Sequence, residues 1–188
     1  MIKPTKDQAL NAVRTLLSYI GENPDRSGLL ETPDRVLRSF DEFYSGYHDD
    51  PALILGKTFE DIDQYDDFVL VKNIDFISHC EHHMVPIIGR AHVAYWPDQN
   101  VVGISKLARL VDVYAKRLIS QETMTQQIGK ALDTHIQPKG VAIIIDAAHQ
   151  CMNTRGVFKA NSSTVTSYMS GVFKNDASVM DRFLKNLI

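Results

Sequence analysis

Residues 79–86 read HCEHHMVP, which places three histidines, a cysteine and a glutamate within five consecutive positions. Side chains of these types either bind a metal ion or move protons. Cys80 and His83 stand at C-x-x-H spacing, which a tight turn can wrap around one ion, and a thiolate with an imidazole suits zinc. A closed structural zinc site takes four protein ligands, yet the only other cysteine in the chain is Cys151. Cys80, His83 and Cys151 therefore make three ligands and leave a fourth position open to water, the arrangement of a catalytic zinc. The plainer alternatives are that the two cysteines are small buried apolar residues, or that they form a disulfide.

Two further histidines are placed to act beside such a metal. His82 adjoins His83, and His149 precedes Cys151 by two positions, so on a strand both would face the same side. Imidazoles that titrate near neutrality, next to a metal with an open position, equip a site for hydrolysis with general acid–base steps. His48, His92 and His135 have no such neighbours and read as structural. In GISKLARLV, Ser105 is the expected N-cap of a helix, with Lys106 and Arg109 on its first turn. Free N–H groups, a hydroxyl and two cations suit a phosphate chain; the ordinary reading is a capped helix with a solvated basic face. CMNTRGV adds Arg155 just beyond Cys151, and TPDR adds Arg35, which is equally readable as a surface charge on an amphipathic helix.

The elements that must position these residues are legible in the hydrophobic pattern. TKDQALNAVRTLLSYIG predicts a helix capped by Thr5 and Gln8 and stopped at Gly21, and TPDRVLRSFDEFYSGY a second one with Thr32 as N-cap. FVLVKNIDFIS and IIGRAHVAYWP alternate as strands on either side of the histidine cluster, which becomes the connection of a hairpin. SKLARLVDVYAKRL and QETMTQQIGKALDTHI predict two helices, the second with Met124, Ile128 and Leu132 on one face. GVAIIIDAAHQC reads as a buried strand running through His149 to Cys151, STVTSYMSGVF as a further strand, and SVMDRFLKNLI as a closing helix. This order indicates an α+β fold with antiparallel pairing. At 188 residues and net charge −3, one domain without bulk electrostatic attraction to nucleic acid is expected. No run reaches the ~20 apolar residues of a membrane span, and MIKPTKDQAL lacks the apolar core of a signal peptide, so a cytoplasmic location is expected.

Taken together, SHCEHHMVPIIG, VVGISKLARLV, RLISQETMTQQI, HQCMNTRGV and STVTS, with GLLETPDR upstream, resemble in order the motif series of the GTP cyclohydrolase I family, from about residue 28 to the C-terminus. The resemblance implies hydrolysis and rearrangement of GTP to formate and 7,8-dihydroneopterin triphosphate, the entry to folate and other pterins. It implies a tunnelling fold, a ββααββ unit with helices before and after it. Residues 1–66 would form an N-terminal helical part and 67–188 the catalytic part of one domain. Sheets would join between subunits into a five-membered barrel, and two barrels would form a decamer with shared active sites. By motif position it makes Cys80, His83 and Cys151 the zinc ligands and His82 and His149 the catalytic histidines, with Ser105 assisting the later rearrangement. Lys106, Arg109, Arg155 and Arg35 fall where the triphosphate is held. Glu122, with the backbone beside Gln121, falls where guanine is recognised; Glu122 is also an acid favoured by a helix dipole. Two departures stand out: His79 occupies a position usually small or aliphatic, and FKANSSTVTS lacks the Pro-Gly often found after the arginine. The rival readings are another tunnelling-fold enzyme acting on a purine or pterin, and a non-catalytic zinc-binding module.

Overall fold

The computed structural model describes residues 2–56, 58–59 and 65–187. Contacts divide the chain into two compact units, Met1–Ser45 and Gly46–Ile188. The first holds α1 (Lys6–Tyr19) and α2 (Thr32–Phe43). Thr5 caps α1 as the sequence predicts, its hydroxyl accepting from Gln8 N–H while the Gln8 side chain returns to Thr5 N–H. At α2 the expectation needs correction. Thr32 is the first helical residue and Glu31 takes the cap position, because Leu29 O and Glu31 O already accept from Thr32 N–H and Arg35 N–H.

The second unit carries α3 (Pro51–Leu55), β1 (Thr58–Phe59), β2 (Val69–Cys80), β3 (Pro86–Trp96), β4 (Val101–Val102), α4 (Ile104–Ala115), β5 (Leu118–Ile119) and α5 (Gln121–Ile136). These are followed by β6 (Gly140–His149), α6 (Gln150–Asn153), β7 (Thr164–Met169), α7 (Gly171–Asn175) and α8 (Ala177–Lys185). The main sheet has the order β5-β2-β3-β6-β7, antiparallel except for the short parallel pair of β2 with β5. The expected β-β-α-α-β-β succession is thus present, in a mixed α+β architecture.

Burial explains why these segments are strands and helices. On β2 and β3, Phe76, Cys80, Ile87, Ala91, Val93 and Tyr95 turn toward α4 and α5, where Leu107, Leu110, Met124, Ile128 and Leu132 close the core. Each fully buried Leu, Ile or Met side chain contributes about 1.5–3 kcal/mol over its exposed state, as an upper bound. The apolar run of β6 has no polar alternation because both of its faces are covered. Ile143 and Ile145 face the helices, while Ala142 meets Phe68, Phe173 and Phe183 on the other side.

The expected long strand STVTSYMSGVF ends at Met169. Gly171 lies at φ 50°, and a Cβ there would sit 2.0 Å from Lys139 O, so the chain turns at this glycine into α7. Asp176 then caps α8 by accepting from Ser178 N–H and Val179 N–H, which splits the expected closing helix from α7. Among the described residues, no helix is long and apolar enough to cross a membrane.

Candidate active site

Cys80 ends β2, and its main chain is held from several sides. Its N–H donates to Val85 O at 2.9 Å, and its carbonyl accepts from Met84 N–H at 2.8 Å and His83 N–H at 3.3 Å. These bonds hold Met84 in left-handed backbone, φ 55°, a conformation an L side chain adopts at a cost. The hairpin tip is therefore a defined turn rather than a loose loop. It sets the Cys80 sulfur 3.7 Å from His82 Nδ1 and 3.8 Å from His83 Nδ1.

The register of β6 on β3 brings the distant residues to this turn. Ile87 pairs with His149, so β6 ends beside the start of β3. Cys151 lies beyond the strand, contrary to expectation. Residues 150–153 form a helical turn, stabilised by the Thr154 N–H and hydroxyl, which both donate to Gln150 O at 3.0 and 2.7 Å. That turn, and not strand alternation, swings the thiol inward. The donor atoms of Cys80, His83 and Cys151 all lie within 4.8 Å of one another, close enough for one ion to touch all three. Two thiols and an imidazole are a soft donor set that fits zinc. Burial pushes the Cys151 thiol above its ordinary value and the neighbouring Cys80 adds to this, while the charge of Arg155 acts in the opposite direction. A bound cation would reverse that balance. His79 is buried in β2 and falls outside this donor group.

Around the thiols is a pocket of about 230 Å³ lined by Cys80, His82, Glu122, His149, Cys151 and Thr164, among others. His82 is exposed at the turn, and Glu122 is exposed in the first turn of α5, whose N-cap is Ser120. Burial lowers the proton affinity of His149, partly offset by the charge of Glu122. Gln121 is also present, but its side chain is 1% exposed and turned into the protein. Its amide nitrogen donates to Thr164 O, Thr166 Oγ1 and Ile145 O, and its Oε1 meets His149 Nε2 at 2.8 Å. Thr125, Thr164 and Thr166 belong to no motif that marks them as site residues. For Thr164 and Thr166 the legible signal is their alternation, which puts both on one face of β7; Thr125 on α5 has none.

Three of the remaining predicted residues, Ser105, Lys106 and Arg109, lie on α4. Ser105 is not the N-cap of α4. Gly103 holds that position without a side-chain bond, because pairing of β4 carries extended backbone through Val102 and the helix begins directly at Ile104. Ser105, Lys106 and Arg109 follow on the first turns of α4. Tyr95 ties β4 to the β3 end of the hairpin by exchanging hydrogen bonds with Val102. Ala115, at the other end of α4, leads into Leu118 and Ile119, which pair with His79 and Cys80. The start of α4 is thus one helix length, ~18 Å, from the Cys80 end. None of these three residues lines the Cys80 pocket of its own chain. Arg155 follows α6 on an exposed stretch, near enough to Cys151 for its charge to act on that thiol, and Arg35 lies in the N-terminal unit on α2, ion-paired with Glu31.

A soft three-donor group beside two imidazoles and a carboxylate is the equipment of a metal-assisted hydrolase. The profile of the GTP cyclohydrolase I family matches residues 9–187. The chain is 54% identical over 185 residues to the GTP cyclohydrolase 1 of Maricaulis maris, covering 98% of this chain and 90% of that protein. It is 54% identical over 183 residues to that of Pelagibacter ubique, with 97% and 91% covered. The corresponding figures for Brucella suis are 53% over 182 residues, with 97% and 85% covered. A solved archaeosine synthase QueF-Like in the apo form overlaps 56% of this chain at 18% identity with a TM-score of 0.47, which establishes no shared architecture. The chain belongs to the GTP cyclohydrolase I family.

Proposed function

We propose that this chain is a zinc-dependent GTP cyclohydrolase that converts GTP and water to formate and 7,8-dihydroneopterin triphosphate. The observation that carries this reading is the convergence of the Cys80, His83 and Cys151 donors beside a pocket that the two cysteines line together with His82, His149 and Glu122. Zinc, held by the two thiolates and His83, would supply a water activated near neutral pH. His149 stands ready to give a proton to guanine N7 as the imidazole ring is opened. His82, at the exposed lip, is suited to proton transfer at the ribose, together with Ser105. The Glu122 carboxylate accepts hydrogen bonds from guanine N1–H and the 2-amino group, a donor pair that adenine lacks. Lys106, Arg109, Arg155 and Arg35 would neutralise the triphosphate, and the backbone beside Gln121 would contact guanine.

The placement of α4 supports a shared site. Lys106 sits on its first turn, toward the opposite end of the hairpin from Cys80, and Arg109 at mid-helix; neither lines the pocket of its own chain, so a neighbouring subunit is their natural route to it. The ladder supports the same assembly, since among the described residues β7 pairs with β6 alone, leaving an edge that joining sheets would cover. We infer a tunnelling-fold barrel of five subunits, doubled to ten, in which residues 1–66 and 67–188 act as one domain. Ligand thiols that must stay reduced suit the cytoplasm. The deciding experiment pairs zinc analysis with fluorescence detection of neopterin after oxidation and dephosphorylation of the product. Zinc binding without neopterin from GTP would overturn the reading.

A further inference from the structure

The contact between the buried Gln121 side chain and His149 bears on which imidazole nitrogen carries hydrogen. A glutamine amide has two N–H hydrogens and one acceptor oxygen. Around Gln121 Nε2 stand Thr164 O at 2.8 Å, Thr166 Oγ1 at 3.0 Å and Ile145 O at 3.1 Å. Two of these are main-chain carbonyls, which can only accept. Flipping the amide would set oxygen against oxygen in a buried place, so the orientation is settled by its surroundings. The hydroxyls agree. Thr125 Oγ1 donates to Gln121 O at 2.7 Å, so at its 2.7 Å contact with Thr166 Oγ1 it must accept. The Thr166 hydroxyl proton is thereby used, and Thr166 Oγ1 is left to accept from Gln121. Every donor in the chain points the same way. Gln121 Oε1 consequently faces His149 Nε2, 2.8 Å away, as an acceptor, and that nitrogen must carry hydrogen.

We propose that Gln121 is the positioning residue of His149, accepting from its Nε2–H and so fixing the ring's orientation and its neutral Nε2–H tautomer, with Nδ1 left without hydrogen. This rests on the hydrolytic reading of the pocket. Thr125 and Thr166 serve by orienting Gln121, without touching substrate.

The test is solid-state ¹⁵N NMR of the zinc-loaded protein with labelled histidine, near about pH 8, where a neutral imidazole dominates. His149 is assigned by the signals lost in His149→Ala. A protonated Nε2 with an unprotonated Nδ1 is expected, and the reverse pattern in the wild type would overturn the proposal without need of any variant. Gln121→Met keeps the bulk and removes the acceptor. It should retain zinc, mix the two tautomers and lower kcat about 10- to 100-fold, with KM changed by less than about threefold. Loss of zinc, or an unchanged His149 spectrum in that variant, would show that Gln121 only supports the fold. Absence of neopterin formation in the wild type would sink the hydrolytic reading, whereas the tautomer is decided by the spectra alone.

Discussion

Tyr168 lies against Gly129 so closely that a Cβ on the glycine would sit 2.1 Å from the ring Cδ1 and 2.4 Å from Cγ. The tyrosine is anchored where it is, its hydroxyl donating to Asp133 Oδ2 at 2.6 Å while Ser170 donates to Asp133 Oδ1 at 2.8 Å. Burial and the Asp133 carboxylate together push its phenol up to about 12. The ring cannot give way without breaking these bonds. Gly129→Ala should therefore destabilise the protein by about 1–3 kcal/mol despite the better helix propensity of alanine. Denaturant unfolding measures this, and an unchanged midpoint would mean that Tyr168 is free to move.

Cys80→Ser and Cys151→Ser should each lose zinc and GTP turnover while remaining folded, since removing one of three donors leaves too few to hold the ion. Metal analysis with circular dichroism reads both. Full zinc occupancy in Cys151→Ser would refute the three-donor site. His79→Leu should keep its zinc, because His79 stands outside the converging donor group.

The two histidines proposed to be catalytic, His82 and His149, should fail at different stages. His149→Ala should stop formate release, near the ring-opening step. His82→Ala should still release formate and accumulate an opened intermediate without forming the pterin. Both should retain zinc. Equal zinc loss in the two variants would show that ligands and proton-transfer groups have been confused.

Glu122→Gln replaces one acceptor oxygen with a donor that, on the proposed role of Glu122, would confront guanine's own N–H groups. GTP binding should weaken by ~2 kcal/mol or more, at unchanged zinc content. Calorimetric titration with GTP is the check, and an unaltered affinity would remove Glu122 as the guanine anchor.

Mixed assemblies of Cys151→Ser and Lys106→Ala chains, produced together, should recover part of the activity that each variant lacks alone. Recovery requires that α4 and the Cys80 turn reach one pocket from different subunits. Co-assembled but wholly inactive mixtures, or an active monomer in light scattering, would count against the shared site.

Much of this molecule was written in local pattern. The C-x-x-H spacing of Cys80 and His83 needs only a tight turn, and the alternation of the flanking segments supplies the hairpin that makes one. Met124, Ile128 and Leu132 mark the buried face of α5 by spacing alone, and Thr5 with Gln8 marks a cap satisfied within four residues. Local pattern misled where a neighbour in space competed. Ser105 has the chemistry of an N-cap, but the pairing of β4 extends the backbone through Val102, and Gly103 takes the position. Cys151 continues an apolar strand pattern, but hydrogen bonds from Thr154 to Gln150 curl the chain into a helical turn. Other features had no local signature. Cys151 meets Cys80 because Ile87 registers against His149, a pairing between strands far apart in the chain. The inward turn of Gln121 depends on two carbonyls and two hydroxyls drawn from three separate elements. Residue types and short spacings therefore determined the kind of chemistry and the elements, because they act through bonds within a few residues. Tertiary structure alone decided which donors converge, which way the Gln121 amide faces and which cations stay away, because those depend on sheet register and burial.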